Sequence, residues 1–258
     1  MSIDAVTGWV RSRRLAAEGI LSCVVASAFL ATGYRTISAL SAHSTAIRWV
    51  SLAGILTAAM AGFVVFHRGN LRRPNGMRVH SIGLANALTL VRALVLGGVA
   101  GFVLVDVDGV LSWGPALGYG TVVLLDGLDG AVARSVGMET RLGARLDMAV
   151  DTTGFLVGPL VAVMWGLLPA WYLTLSFARY AYRGGCVLFR WWGGEIGPLP
   201  PSRVRRPLSG LQMGFITGAL VPIAPTHLVW TVAPVVLVPS LVVFARDWIA
   251  VTVHSSEE

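Results

Sequence analysis

Apolar runs recur along the chain near residues 15–34, 47–66, 83–105, 110–130, 143–166, 168–189, 208–225 and 227–245, parted by short polar or Gly/Pro-containing segments. Several approach the roughly 20 residues that a helix needs to cross a hydrocarbon core. None alternates with the two-residue period of a barrel strand. The pattern predicts eight helices and an all-α integral membrane protein, with the margins of the third and fourth runs blurred by Gly and Pro.

Composition agrees with that picture. Of 258 residues, 55% are hydrophobic and 13% charged, where a soluble domain carries about 25% charged residues. The formal charge of +7 comes entirely from Arg among the basic residues, and these Arg fall mostly in short segments between apolar runs. Arg11, Arg13 and Arg14 precede the first helix, and Arg68, Arg72, Arg73 and Arg78 follow the second. Arg134, Arg141 and Arg145 surround the fourth-to-fifth connection, and Arg190, Arg203, Arg205 and Arg206 occupy the sixth-to-seventh. With eight spans all four regions share one side, leaving little beyond Arg35 and Arg48 opposite. The positive-inside rule then predicts a cell-membrane protein with both termini cytoplasmic. The charge points to the bilayer and to phosphorylated or anionic ligands, and excludes nucleic acid as the partner. Cys23 and Cys186 lack metal-ligand spacing and read as buried small residues.

The basic segment from His67 to His80, with Pro74, Asn75 and Gly76 at its middle, reads as an interfacial connector. It divides an N-terminal region, 1–80, with two helices from a core at 81–245, followed by a cytoplasmic tail at 246–258. Gly97 and Gly101 form a small-xxx-small pair suited to close helix packing.

The chemistry concentrates in two acidic pairs. Asp126 and Asp129 are three residues apart, and Asp147 and Asp151 four apart, so each pair projects from one helix face. Four carboxylates can then converge across two adjacent antiparallel helices, near the cytoplasmic ends. An acidic residue at mid-membrane costs about 2.5–3.5 kcal/mol, so four would cost roughly 10 kcal/mol without compensation. Arg134 and Arg145 can neutralise part of this, while hard divalent cations, which prefer oxygen ligands and serve phosphate chemistry, explain the cluster more economically. Gly130 and Gly143 either admit a ligand close to the backbone or pack helices.

Asp126-Gly127-Leu128-Asp129-Gly130-Ala131-Val132-Ala133-Arg134, then eight residues, then Gly143, Asp147 and Asp151, match without a gap the signature D-x-x-D-G-x-x-A-R…G-x-x-x-D-x-x-x-D. The chain thereby resembles the CDP-alcohol phosphotransferase family, more weakly so over about 81–245. The resemblance implies a six-helix catalytic core, here preceded by two extra transmembrane helices. It also implies a CDP-lipid donor such as CDP-diacylglycerol, a small alcohol acceptor, release of CMP, and two magnesium or manganese ions. Carried onto this sequence, Asp126, Asp129 and Asp147 are metal ligands. Asp151 shares metal binding and acts as general base, and Gly130, Ala133, Arg134 and Gly143 line the CDP pocket. Asn86-Ala87-Leu88-Thr89-Leu90-Val91-Arg92 resembles the family's N-x-L-T-x-x-R element. Asn86 and Thr89 there contact the nucleotide, or else serve as a helix cap or interhelical hydrogen bond.

Acceptor candidates are Arg179, Arg183, Arg203, Arg205 and Arg206, because Arg suits bidentate phosphate recognition. Arg203, Arg205 and Arg206 equally read as charges that hold a loop inside. Residues 206–212 partly resemble the K-T-x-x-Q element of glycerophosphate-using relatives, but Leu208 stands in place of Lys, which weakens that assignment. Competing classes are a cation transporter and a catalytically silent scaffold of the same fold. The transporter predicts midplane carboxylates in repeated halves, and no repeat is visible. The two N-terminal helices read as a shield over the edge of a homodimer, a partner surface or an anchor, and their polar residues, chiefly Glu18 and Arg48, suggest no site.

Overall fold

The protein is seen in a computed structural model, which describes residues 3–72, 77, 79, 81–136, 140–193 and 202–253, with the side chains of 3–13, 129–136, 183 and 252–253 outside the description. Among these residues there are eight α-helices and no strand: α1 (Ile3–Leu40), α2 (His43–Phe66), α3 (Gly83–Gly101), α4 (Gly114–Val136), α5 (Arg141–Met164), α6 (Thr174–Trp191), α7 (Arg205–Ala219) and α8 (Thr226–Val253). Among the described residues, five segments are long and apolar enough to cross a membrane: Arg14–Leu40, His43–Phe66, Gly83–Leu104, Arg141–Met164 and Thr226–Val251. The other three helices differ for physical reasons. α4 carries Asp126, Asp129 and Arg134, α6 carries three Arg, and α7 has 15 residues.

The chain forms two compact units, Met1–Asp151 and Thr152–Glu258, the boundary falling within α5. In the first unit α3 packs against both α2 and α4. Trp49 of α2 is the knob of this packing. It is buried, and its Nε1–H donates to the Gly98 carbonyl at 2.9 Å. A Cβ at Gly101 would lie 2.6 Å from the Trp49 ring, and one at Gly97 would lie 2.6 Å from Thr57 Oγ1. The small residues therefore permit a backbone approach that alanine would block.

In the second unit a buried polar network ties three elements. Gln212 of α7 donates through Nε2 to the Val236 carbonyl at 2.6 Å and to Ser240 Oγ at 2.8 Å on α8, while the Tyr172 hydroxyl donates to Gln212 Oε1. Asp247 of α8 is almost fully buried and accepts from Arg205 Nε at 2.5 Å and Arg246 at 2.8 Å.

One expectation is corrected by the fold. Cys23 is exposed and Cys186 half-buried rather than buried; Cys23 lies in the apolar segment Arg14–Leu40, where a residue on the outer face needs no protein cover when lipid tails are as apolar as its neighbours.

Candidate active site

The first unit brings together what the sequence separates by up to 65 residues. On α3, Asn86, Thr89 and Arg92 follow at three-residue spacing along one buried face. On α5, Gly143, Asp147 and Asp151 repeat every four residues, and Asp126 approaches from α4.

Arg92 is the centre of the arrangement. Its side chain is 0% exposed, yet its guanidinium reaches three carboxylates. Nη1 donates to Asp147 Oδ1 at 2.6 Å, Nη2 donates to Asp151 Oδ1 at 2.6 Å, and Nη2 lies 2.8 Å from Asp126 Oδ1. The acids themselves remain 27–44% exposed at their side chains, so they are reachable while their counter-charge is not. Oxygens from Asp126, Asp147 and Asp151 all lie within 4.8 Å of one another. Clustered hard oxygen donors of this kind fit a divalent cation such as magnesium.

The start of α5 is fixed by its own cap and by two other segments. Thr140 Oγ1 accepts from the Gly143 N–H at 2.9 Å, as an N-cap residue does. The Arg141 N–H donates to the carbonyl of Arg72 in the basic connector at 2.9 Å. Asn86 then joins α3 to this turn: Thr140 Oγ1 lies 3.1 Å from Asn86 Nδ2 and 3.2 Å from Oδ1, and Nδ2 also donates to the Ile82 carbonyl at 2.7 Å. Gly143 is pressed into the same junction, since a Cβ there would lie 2.1 Å from Asn86 Oδ1. Of the two readings open for Asn86, the interhelical hydrogen bond is therefore present. Thr89 Oγ1 donates to the Ala85 carbonyl at 3.1 Å within its own helix.

Comparison with known proteins decides the family. A profile for CDP-alcohol phosphatidyltransferase matches residues 82–253. The chain belongs to the CDP-alcohol phosphatidyltransferase family. It is also 33% identical over 108 residues to "Putative cardiolipin synthase" from Mycobacterium tuberculosis and from Mycobacterium bovis, an overlap covering 40% of this chain. The chain spans about half the length of these curated relatives, 51%. As expected for a CDP-alcohol phosphatidyltransferase, the matched region contains the whole carboxylate signature and α3.

The remaining family positions divide between the two units and the residues outside the description. The side chains of Asp129, Gly130, Ala133, Arg134 and Arg183 lie outside the described residues. In the second unit Arg205 is held by Asp247, Arg179 stacks its guanidinium 4.1 Å above the Phe155 ring, and Arg203 and Arg206 are exposed. Gln212, the residue that resembles the glutamine of K-T-x-x-Q, is committed to the buried network of α7 and α8.

Arg92 closes the N-x-L-T-x-x-R element, and its place among the three acids emerges only in the structure. A signal was there: it is the sole charged residue in the apolar segment Gly83–Leu104, and a charge within a membrane span requires a partner.

Proposed function

We propose that this protein transfers a phosphatidyl group from a CDP-lipid such as CDP-diacylglycerol to the hydroxyl of an acceptor alcohol, releasing CMP. The observation that carries the reading is the convergence of Asp126, Asp147 and Asp151 around one buried guanidinium, within the intact family signature.

In this reading Asp126, Asp129, Asp147 and Asp151 hold two magnesium ions. Bound there, the ions would neutralise the donor diphosphate and polarise its phosphorus–oxygen bonds. Asp151 accepts the proton of the acceptor hydroxyl. The resulting oxygen attacks the phosphorus that bears the diacylglycerol, and the bond from that phosphorus to the oxygen of CMP breaks. Arg92 keeps three acids at ligand spacing by offsetting their mutual repulsion. Gly130, Ala133, Arg134 and Gly143 line the cytidine diphosphate pocket. Asn86 and Thr89 shape its edge, Asn86 by fixing the α3–α5 junction.

The acceptor in this reading is an anionic alcohol, recognised by the exposed Arg203 and Arg206. Arg205 and Arg179 are assigned supporting positions, since their cations already engage Asp247 and Phe155. The name of the mycobacterial relatives adds cardiolipin to the products to be looked for. Eight crossings, with both termini and the carboxylates cytoplasmic, follow from the Arg distribution.

Purified protein incubated with CDP-diacylglycerol, magnesium and a panel of charged and neutral alcohols tests the reading through CMP release and identification of the lipid product. Magnesium-dependent CMP release tied to one anionic acceptor supports it. Absence of release with every acceptor sinks it and returns weight to a transporter or a silent scaffold.

A further inference from the structure

The N-terminal helices lie before the region matched by the family profile, residues 82–253, yet α1 delivers a carboxylate to the first turn of the matched region. Glu18 Oε2 accepts from the Ile82 N–H at 2.7 Å, and Oε1 accepts from Ser81 Oγ at 2.9 Å and Arg14 Nε at 3.3 Å. Ile82 supplies no side-chain cap to α3. Glu18 therefore does from another helix what the N3 carboxylate of a capping box does locally, accepting from the backbone N–H of the N-cap residue, with the added attraction of an anion for a helix N-terminus.

The hydrogen bonds continue from there. The Ile82 carbonyl accepts from Asn86 Nδ2 at 2.7 Å, Asn86 meets Thr140, and Thr140 Oγ1 accepts from the Gly143 N–H at 2.9 Å. An unbroken series thus runs from α1 to the signature glycine, four residues before Asp147. Anchoring does not account for it, because α1 already packs at its other end, with Gly33 against the Trp49 ring of α2 and Phe29 against Gly98 of α3. A carboxylate at the opposite end of α3 adds desolvation cost to a contact that apolar packing could supply.

We propose that Glu18 is a positioning residue that sets the N-terminus of α3 and, through Asn86, the α3–α5 junction on which the cytidine nucleotide binds. The first of the extra helices, α1, is thereby part of the donor site. This rests on the donor reading given above and adds to it a role for residues that precede the matched region.

The test uses the full chain in detergent, as wild type and as Glu18→Ala, Glu18→Gln, Ser81→Ala and Trp49→Phe. Two readouts are taken: backbone hydrogen exchange over 82–86 and 140–144, and the Kd of CMP in magnesium. Loss of hydrogen bonds to a charged acceptor should speed exchange in both segments about tenfold or more in Glu18→Ala. If the binding-competent junction then falls to about a tenth of the molecules, the CMP Kd rises about tenfold. Glu18→Gln and Ser81→Ala, which each keep part of the contact, should fall between. Trp49→Phe should lower the unfolding temperature while leaving the CMP Kd and exchange over 140–144 unchanged. Faster exchange confined to 82–86, or an unchanged CMP Kd in Glu18→Ala, would overturn the proposal. Wild type that binds no CMP contradicts the donor reading instead, and the exchange pattern alone then decides whether Glu18 sets the junction.

Discussion

Replacing Arg92 by glutamine keeps much of the side chain's volume and removes its charge. Three carboxylates whose oxygens lie within 4.8 Å of one another then lose their common counter-ion. At an effective dielectric of about 20, two unit charges at that spacing repel by about 3.5 kcal/mol. Solvent lowers the figure here, since the acid side chains are 27–44% exposed. Removing one partner from a fully buried pair costs about 3–5 kcal/mol, so discounting for solvent screening leaves roughly 2–3 kcal/mol for Arg92→Gln. In a chain of this size that corresponds to a drop in Tm of about 4–12 °C. The assay is thermal unfolding of the detergent-solubilised protein in EDTA and again in magnesium. The loss should be large in EDTA and smaller in magnesium, where bound cations take over part of the compensation. An Arg92→Gln Tm equal to wild type in EDTA, or a loss that magnesium leaves unchanged, would refute the reasoning.

Further outcomes are expected at Gly143, in the basic segment before α7 and at the termini. Gly143→Ala drives a methyl group into Asn86, so it should lower stability by about 1–3 kcal/mol in thermal unfolding, and pairing it with Asn86→Ala should recover much of that loss. Arg203→Lys and Arg206→Lys should raise the acceptor KM by about ten- to a hundredfold with the donor KM unchanged. Arg205→Ala should act chiefly on Tm, because it removes one of the two cationic partners of the buried Asp247; acceptor kinetics and melting curves separate the two behaviours. Cysteines placed at Ser2 and Ser255 should resist an impermeant reagent in intact cells, and rapid labelling of either would defeat cytoplasmic termini.

Much of the helical layout was legible because each apolar run had to be a helix. The margins were not, for identifiable reasons. α1 continues past Tyr34 to Leu40 through Arg35 and Thr36, the polar pair at which an apolar window ends. The fourth run begins with a 3-10 turn at Gly109–Trp113, and its helix continues past the acidic motif to Val136. α8 runs on through Asp247, whose charge Arg205 and Arg246 neutralise. The acidic positions Asp126, Asp147 and Asp151 were readable from their spacing and signature. Arg92 as their shared partner was not, since its contacts lie 55 and 59 residues away on α5 and only packing brings them together. Asp247 was equally hidden, as a lone acid near the chain's end acquires meaning only when α7 places Arg205 beside it.

The central claim, phosphatidyl transfer at the carboxylate cluster, meets its most direct test in CMP release from CDP-diacylglycerol by Asp151→Asn beside wild type, with magnesium and with EDTA. Asp151→Asn keeps the side chain's shape and leaves the other acids charged, while removing the proposed base. The account predicts magnesium-dependent release by wild type, a fall of about 10²–10⁴-fold in the variant, and CDP-lipid binding retained in part. Near-normal release by Asp151→Asn, or wild-type release indifferent to EDTA, would contradict it.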